Sequence, residues 1–302
     1  MSKIVVGFDG SDHAHDAIAL AAGLARLSDG GLVIAAVYPF DAGYDAMTYG
    51  DFSKEARAAA QRHAASPVPG APVAARVVVG AASAAHGLDR IAREHDADSI
   101  VVGSTTRGVV GRIAPGSTAE RLLHGAPCSV AVAPAGYADT CPPVFPGRIG
   151  VAYDGSPEAA SALRDATVLA TRAEATVRLI SAVEPVAFAS WGPAIEVAGD
   201  HELTSERLEQ ARRDAEEAAA ELRDRIEVET EVLEGDPADV LVERSADVDL
   251  LVCGSRGYGL LRQVLLGGVS ARLLRGAHCP VLVHPRSASV PDPEVHEAVG
   301  TG

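Results

Sequence analysis

The chain repeats itself, and that constrains its fold more than any other feature. Ile4-Val5-Val6-Gly7-Phe8-Asp9-Gly10-Ser11 lines up with Ile149-Gly150-Val151-Ala152-Tyr153-Asp154-Gly155-Ser156 at an offset of 145. Further along, Ile100-Val101-Val102-Gly103-Ser104 answers Leu251-Val252-Cys253-Gly254-Ser255, and Arg121 to Cys128 answers Arg272 to Cys279, both at an offset of 151. Repeats of this length, each with its own apolar strands, are duplicated domains rather than the short units of a solenoid. A chain of 302 residues has room for two domains of about 100–150 residues each. The reading is a first domain at 1–135, a linker at 136–146 in a stretch holding four prolines from Pro134 to Pro146, a second domain at 147–286, and a disordered tail at 287–302.

Within each copy, short apolar runs alternate with helical patterns. Strands are expected near 3–8, 31–38, 73–79, 98–102 and 128–133, and again near 148–153, 175–183, 227–233, 249–253 and 280–284. Helices are expected near 13–28, 53–64, 83–95 and 117–124, then 157–172, 203–224, 237–246 and 268–275. Ile100-Val101-Val102 and Leu250-Leu251-Val252 are apolar without alternation, as required of strands covered by helices on both faces. This predicts an α/β fold of two tandem doubly wound parallel-sheet domains; the strand order taken for each is the flavodoxin-like 3-2-1-4-5, which the alternation by itself does not fix.

Composition narrows the function classes. Lysine plus arginine total 26 against 41 acidic residues, a net charge of −15, which argues against binding nucleic acid through a basic surface. No run of about 20 apolar residues is present, so no membrane span is expected, and the reading is a cytoplasmic protein. Cys128, Cys141, Cys253 and Cys279 have no metal-ligand spacing and read as reduced thiols. His13 and His15, two apart, do not share a helix face and are not read as a metal pair. The charged stretch from Glu202 to Asp224 reads as a solvated helix laced with ion pairs.

In doubly wound sheets, ligands bind beyond the carboxyl ends of the strands, where the strand order reverses. Asp9 and Asp154 end the first strand of each copy, and Gly103 and Gly254 end the fourth. Glycines then lead to the head of a helix at Gly116-Ser117 and at Gly267-Gly268-Val269-Ser270. Such segments let backbone amides approach an anion closely. Lysine occurs only at Lys3 and Lys54, which rules out a P-loop, and Arg262 stands where a G-x-G-x-x-G run starting at Gly257 needs its last glycine. Any phosphate recognition must rest on amides, glycines and hydroxyls.

The spacing G-x2-G-x9-G followed by Ser or Thr, together with an Asp-Gly-Ser turn after the first strand, resembles the ATP-binding type of universal stress protein. The resemblance covers both halves and implies a tandem member of that family. It implies that the first-strand aspartate and a valine at the end of the second strand meet the adenosine, while the glycine segment and hydroxyls hold the phosphates. In the first half these are Asp9, Val37, Gly103, Gly116 and Ser117, with Thr106 in place of the middle glycine. In the second they are Asp154, Val183, Gly254, Gly257, Gly267 and Ser270, with Gly268 where the hydroxyl belongs. The implied cofactor is ATP, with or without Mg2+, bound more securely in the second half. The implied assembly is an internal pseudo-dimer joined through the last strands, which carry Val130, Val132, Val281 and Val283, with a second tandem chain added as a homodimer.

Blander roles stand beside these. Asp9 and Asp154 are suited to capping a turn, Ser117 and Ser270 to the first turn of a helix. Arg107, Arg112, Arg256 and Arg262 lie near the glycine segments, and Tyr44, Tyr49, Phe52, Phe188 and Trp191 follow the second strand of each half, where packing is the simpler role. With one aspartate per site and no lysine, the parts of a fast phosphoryl-transfer enzyme are missing, so the protein is read as a nucleotide-responsive stress regulator and not an enzyme. The alternatives are a nucleotide-free interaction module, a slow ATPase, and an adenylate-forming or electron-transfer relative of the same fold.

Overall fold

The computed structural model describes residues 3–28, 30–40, 46–68, 71–105, 110–142, 144–185, 199–255 and 267–285. In chain order the first half is β1 (Lys3–Gly7), α1 (Asp12–Leu27), β2 (Gly31–Pro39), α2 (Ala46–Ala64), β3 (Val73–Ala81), α3 (Ala84–Glu94), β4 (Ser99–Gly103), α4 (Ser117–Leu122) and β5 (Ser129–Ala133). A short helix α5 (Tyr137–Thr140) follows. The second half is β6 (Arg148–Ala152), α6 (Pro157–Ala173), β7 (Thr176–Val183), α7 (Gly199–Ala220), β8 (Val228–Glu234), α8 (Pro237–Arg244), β9 (Leu250–Gly254), α9 (Gly268–Leu273) and β10 (Val281–His284).

The helix starts are written in the sequence. Ser11, Ser83 and Ser156 each accept a hydrogen bond from the backbone three residues on, and Asp236 accepts from Ala238 and Asp239. These caps satisfy N–H groups that the first turn leaves without helical partners. Pro157 and Pro237 occupy the first helical turn, where a missing N–H costs nothing.

All ten strands form one sheet in the order β3-β2-β1-β4-β5-β10-β9-β6-β7-β8, so each half has the expected order 3-2-1-4-5. Pairing is parallel within each half, and β5 meets β10 antiparallel through Val132↔Val281, Ala131↔Leu282 and Val130↔Val283. The central strands are buried on both faces, with Val5, Val6, Ile100, Val101, Val130, Val132, Val281 and Val283 fully inaccessible. At the edges, β3 and β8 carry exposed and half-buried positions instead, because among the described residues no strand pairs with their outer side; Glu229, Glu231 and Glu234 of β8 discourage further strand addition there. One apolar layer runs along each face of the sheet through both halves; Leu20, Leu179 and Leu282 belong to one, Leu88, Leu251 and Val283 to the other.

The stretch expected as an irregular linker contains α5, and Tyr137 in it is buried at 5 % exposure. Proline and glycine content suggests irregularity, yet Gly136, with φ of 76°, supplies the left-handed turn that starts this helix. The expected tail at 287–302 lies outside the described residues.

Cys128, Cys253 and Cys279 are buried and Cys141 is exposed. Burial pushes the Cys128 and Cys253 thiols up to about 12 and raises Cys279 as well. At pH 8 a thiol reagent is expected to titrate one cysteine in the native protein and four after unfolding; rapid modification of two or more in the native state would contradict this burial. Unfolded thiols ionise near about 8.5, so the stability these buried thiols contribute is complete below that pH and is lost as pH rises toward 12.

Candidate functional site

Two crevices open at equivalent places, beyond the carboxyl ends of β1 and β4 and of β6 and β9. In each, strand order reverses, so the connections leave to opposite sides and a cleft remains between them. The first cleft, about 360 Å³, brings together Asp9, Val37, Gly103, Gly116 and Ser117. The second, about 110 Å³, brings together Asp154, Gly254, Gly267 and Ser270. Thr106 and Gly257 lie outside the described residues, as do Arg107, Arg256, Arg262, Tyr44, Phe188, Trp191 and the side chain of Tyr49.

The aspartates are built into tight turns. The backbone N–H and the hydroxyl of Ser11 donate to Asp9 Oδ1 at 3.0 and 2.6 Å, while Ser11 itself caps α1. Asp154 Oδ1 accepts from the Ser156 N–H at 3.1 Å, and Ser156 caps α6. Gly10 and Gly155, with φ of 80° and 74°, make the left-handed step between them that other residues adopt at a cost. The turn thus uses one carboxylate oxygen and holds the side chain at the rim of the cleft, so the structural and the binding roles of the aspartate are compatible.

The glycines at the ends of β4 and β9 have a packing reason of their own. A Cβ on Gly103 would stand 2.0 Å from the His13 carbonyl oxygen, and one on Gly254 would stand 2.8 Å from the Glu158 carbonyl carbon. These glycines let the first turn of α1 and of α6 lie directly against the strand end. Gly116 and Gly267 precede α4 and α9 in extended conformation with no side-chain cap, which leaves the first amides of each helix without a partner from the cap residue. Around Gly268 there is open space within 4 Å.

Two site expectations need correction. Phe8 N–H bonds the Ala35 carbonyl, and Tyr153 N–H bonds the Ile180 carbonyl, so Ala35 corresponds to Ile180 and Val37 to Ala182. Ala182 lines the second cleft, and Val183, one residue further on the strand, is not among its lining residues. Strand side chains alternate between faces, so a slip of one residue moves the side chain to the other side. Gly268 is also absent from that lining, and Ser270 is buried on the floor at 6 % exposure with its Oγ 4.0 Å from Cys253 Sγ.

Sequence reasoning missed further cleft residues. His13, Ser104, Thr105 and Thr118 line the first cleft, and Glu158, Leu241 and Cys253 the second. Ser104 Oγ accepts from the Ala114 N–H at 2.7 Å, and Thr105 N–H donates to the Ala114 carbonyl at 2.8 Å, which ties Ala114 to the end of β4. The repeat offset of 145 pairs His13 with Glu158 and Val37 with Ala182, a signal present in the sequence alone. His15, in contrast, faces away from His13: its Nδ1 lies 2.8 Å from the Ser11 carbonyl oxygen and its ring packs edge-on to Phe8. Phe52 is described and exposed at 56 %, and it is not in the first cleft's lining. Arg112 is likewise outside that lining.

Among the described residues no group of three or more metal-ligating side chains converges, and no helix is long and apolar enough to cross a membrane.

The comparisons with known proteins agree with this geometry. The universal stress protein family matches residues 1–134 and 146–285. The chain is 33% identical over 140 residues to a universal stress protein of Methanocaldococcus jannaschii, an alignment covering 45% of this chain and 80% of that protein. With a universal stress protein of Mycolicibacterium smegmatis it shares 29% identity over 297 residues, 93% of this chain and 96% of the other. Among solved structures, a universal stress protein from Archaeoglobus fulgidus superposes with a TM-score of 0.67 at 20% identity, covering 94% of this chain and 98% of that one, a likeness of fold.

Proposed function

Since the chain belongs to the universal stress protein family, with one match in each half, we propose that it is an adenine-nucleotide-binding stress regulator whose ligand, ATP, occupies the crevices beyond β1/β4 and β6/β9. The observation that carries this reading is the convergence, twice over, of an Asp-Gly-Ser turn and an uncapped helix start on opposite walls of one crevice. Asp9 and Asp154 would accept hydrogen bonds from the nucleoside. Ser117, Thr118, Thr105 and the first amides of α4 would meet the phosphates in the first cleft, and the amides of α9 in the second. Gly103, Gly116, Gly254 and Gly267 would shape the walls. Mg2+, where present, would arrive on the triphosphate, held by its oxygens.

Turnover would be slow. Among its described lining residues the first cleft has one carboxylate, Asp9, fixed in its turn, and fast phosphoryl transfer needs in addition a positioned base and clamped cations. The protein would thus act in the cytoplasm by changing state with nucleotide supply, with a second tandem chain as its partner in a homodimer, a point light scattering decides.

Titration calorimetry tests the binding. The wild type is expected to bind adenine nucleotide in both halves, Asp9→Ala and Asp154→Ala to lose one site each, and the double variant to lose both. Loss of a hydrogen bond to a charged group costs about 1.5–3 kcal/mol, or roughly tenfold to more than a hundredfold in affinity. Unchanged binding in the double variant would refute the assignment. Heat release followed by chromatography reports whether purified protein carries nucleotide, which separates this reading from a nucleotide-free interaction module.

A further inference from the structure

The sheet ends in two unlike edge strands, β3 and β8. Resting on the reading above that a second copy joins the chain, we propose that the copies pair along β3, antiparallel about a two-fold axis at Val78, so that their sheets run on as one.

The edge of β3 is regular and unblunted. The Phe40 N–H donates to the Ala81 carbonyl, and bonding to a neighbouring strand alternates along a ladder. Val77, Val79 and Ala81 therefore bond β2, while Arg76, Val78 and Gly80 turn their N–H and C=O groups outward. Arg90 reaches the Gly80 carbonyl from that outer side at 3.5 Å, and among the described residues no strand pairs there. Such a row is a template for another strand, and natural edges are usually spoiled by charge, proline or a bulge. In β8, Glu229, Glu231 and Glu234 supply the charge. In β3 the stretch Val77-Val78-Val79-Gly80-Ala81 has neither charge nor proline, and its ladder irregularity lies at the start of the strand, opposite Leu32 and Val33. The guanidinium of Arg76 is drawn back to the carbonyls of Ala64 and Ser66.

Charge and symmetry select the occupant. The chain carries a net charge of −15, so two copies repel over most of their surface. From Ala56 to Leu88, however, no aspartate or glutamate occurs, and Arg57, Arg62 and Arg76 do. Copies meeting at β3 bring no carboxylate of this stretch face to face, whereas copies meeting at β8 would oppose glutamates. A β3-on-β8 contact would leave a free edge at each end and grow without closing; β3 on β3 closes as a dimer. With the axis at Val78, the two Val78 residues exchange both backbone hydrogen bonds and Arg76 of each copy faces Gly80 of the other. Gly80 leaves room for the arginine stem, and beside it stands Phe40, 50 % exposed. The chain already joins its own halves by an antiparallel pair, β5 on β10.

Light scattering on the full chain at micromolar concentration is expected to give twice the chain mass. Val78→Pro removes an outward N–H and leaves the bonds to β2, so it is expected to weaken dimerisation roughly tenfold to a hundredfold, one bond being lost from each copy. Val177 N–H bonds the Glu227 carbonyl, so Val232 is an outward position of β8, and Val232→Pro is expected to leave the dimer unchanged. Should proline loosen β3, Val78→Cys in a Cys141→Ser chain reports instead. Facing residues at the axis stand about 5.5 Å apart, within disulfide reach, so mild oxidation is expected to link two chains through position 78 and to leave Val232→Cys, Cys141→Ser unlinked. Either response at 78, without its counterpart at 232, supports the pairing. A dimer that responds at 78 in neither way, or equally at 232, would overturn this inference alone. A monomer would overturn the homodimer with it and leave the nucleotide reading standing.

Discussion

Asp16→Ala is expected to lower the folding free energy by about 2 kcal/mol and to release the segment between the halves from α1. Asp16 is 3 % exposed, and its two carboxylate oxygens accept hydrogen bonds from the backbone N–H groups of Gly136 at 2.9 Å and Ala138 at 2.8 Å. The bonds span more than a hundred residues and pin the start of α5 to α1. The pinned segment continues into an aromatic pair, Tyr137 and Phe145, with ring centroids 6.1 Å apart. Phe145 in turn lies where Gly23 of α1 lacks a side chain, since a Cβ there would stand 2.8 Å from its ring. Removing the carboxylate takes the acceptor from the N–H of half-buried Gly136 and from that of exposed Ala138, which water can reach; a hydrogen bond to a charged group is worth about 1.5–3 kcal/mol, and the exposed one falls at the lower end. Asp16→Asn keeps one acceptor and sets an amide N–H against a backbone N–H, so an intermediate loss is expected. Denaturant unfolding measures the difference, and limited proteolysis should find new cleavage between 136 and 146 in the alanine variant. A loss below about 1 kcal/mol, with no new cleavage, would show that these hydrogen bonds are not what holds the segment.

Gly103→Ala is the second large effect. The added methyl group would meet the His13 carbonyl oxygen at 2.0 Å and its carbon at 2.7 Å, both of them backbone. No rotamer change relieves such a contact, so the first turn of α1 must move away from β4. Overpacking of this kind costs about 1–3 kcal/mol, and the upper end is expected here. Gly254→Ala meets the Glu158 carbonyl carbon at 2.8 Å and oxygen at 2.9 Å, so it should cost less. Gly268→Ala enters open space and should be neutral or slightly stabilising, because alanine restricts the unfolded chain. The displaced turn carries Ser11 and the Asp9 loop, so Gly103→Ala should also weaken nucleotide binding in the first cleft. Unfolding midpoints should rank 268 above 254 above 103. The reverse order would mean that these glycines serve the loop and not the helix contact.

Both experiments bear on how much of the site can be read from residues in order. Asp9 and Asp154 were legible because an Asp-Gly-Ser turn is a local device, complete within three residues. Gly103 and Gly254 were legible as special positions, but their reason was not. The atoms they accommodate belong to His13 and Glu158, ninety or more residues earlier in the chain. Val183 in place of Ala182 shows the sensitivity of strand reading: composition locates a strand, whereas its pairing with β6 decides which alternate residue faces the cleft.

The sequence by itself determined the duplication, the α/β class and the helix starts that carry a cap, whereas α2 and α7 begin at Ala46 and Gly199, ahead of the expected 53 and 203. It could do so because each rests on local patterns: unbroken β-branched runs, hydroxyl caps before helices, and turn residues at fixed offsets. Tertiary structure decided the rest. The antiparallel seam of β5 on β10, the capture of Gly136 and Ala138 by Asp16, and the unlike walls of the two clefts all join residues distant in the chain. Close packing fixes which side chain reaches which partner only once the layers are assembled, and two copies of one motif acquired different surroundings in that step.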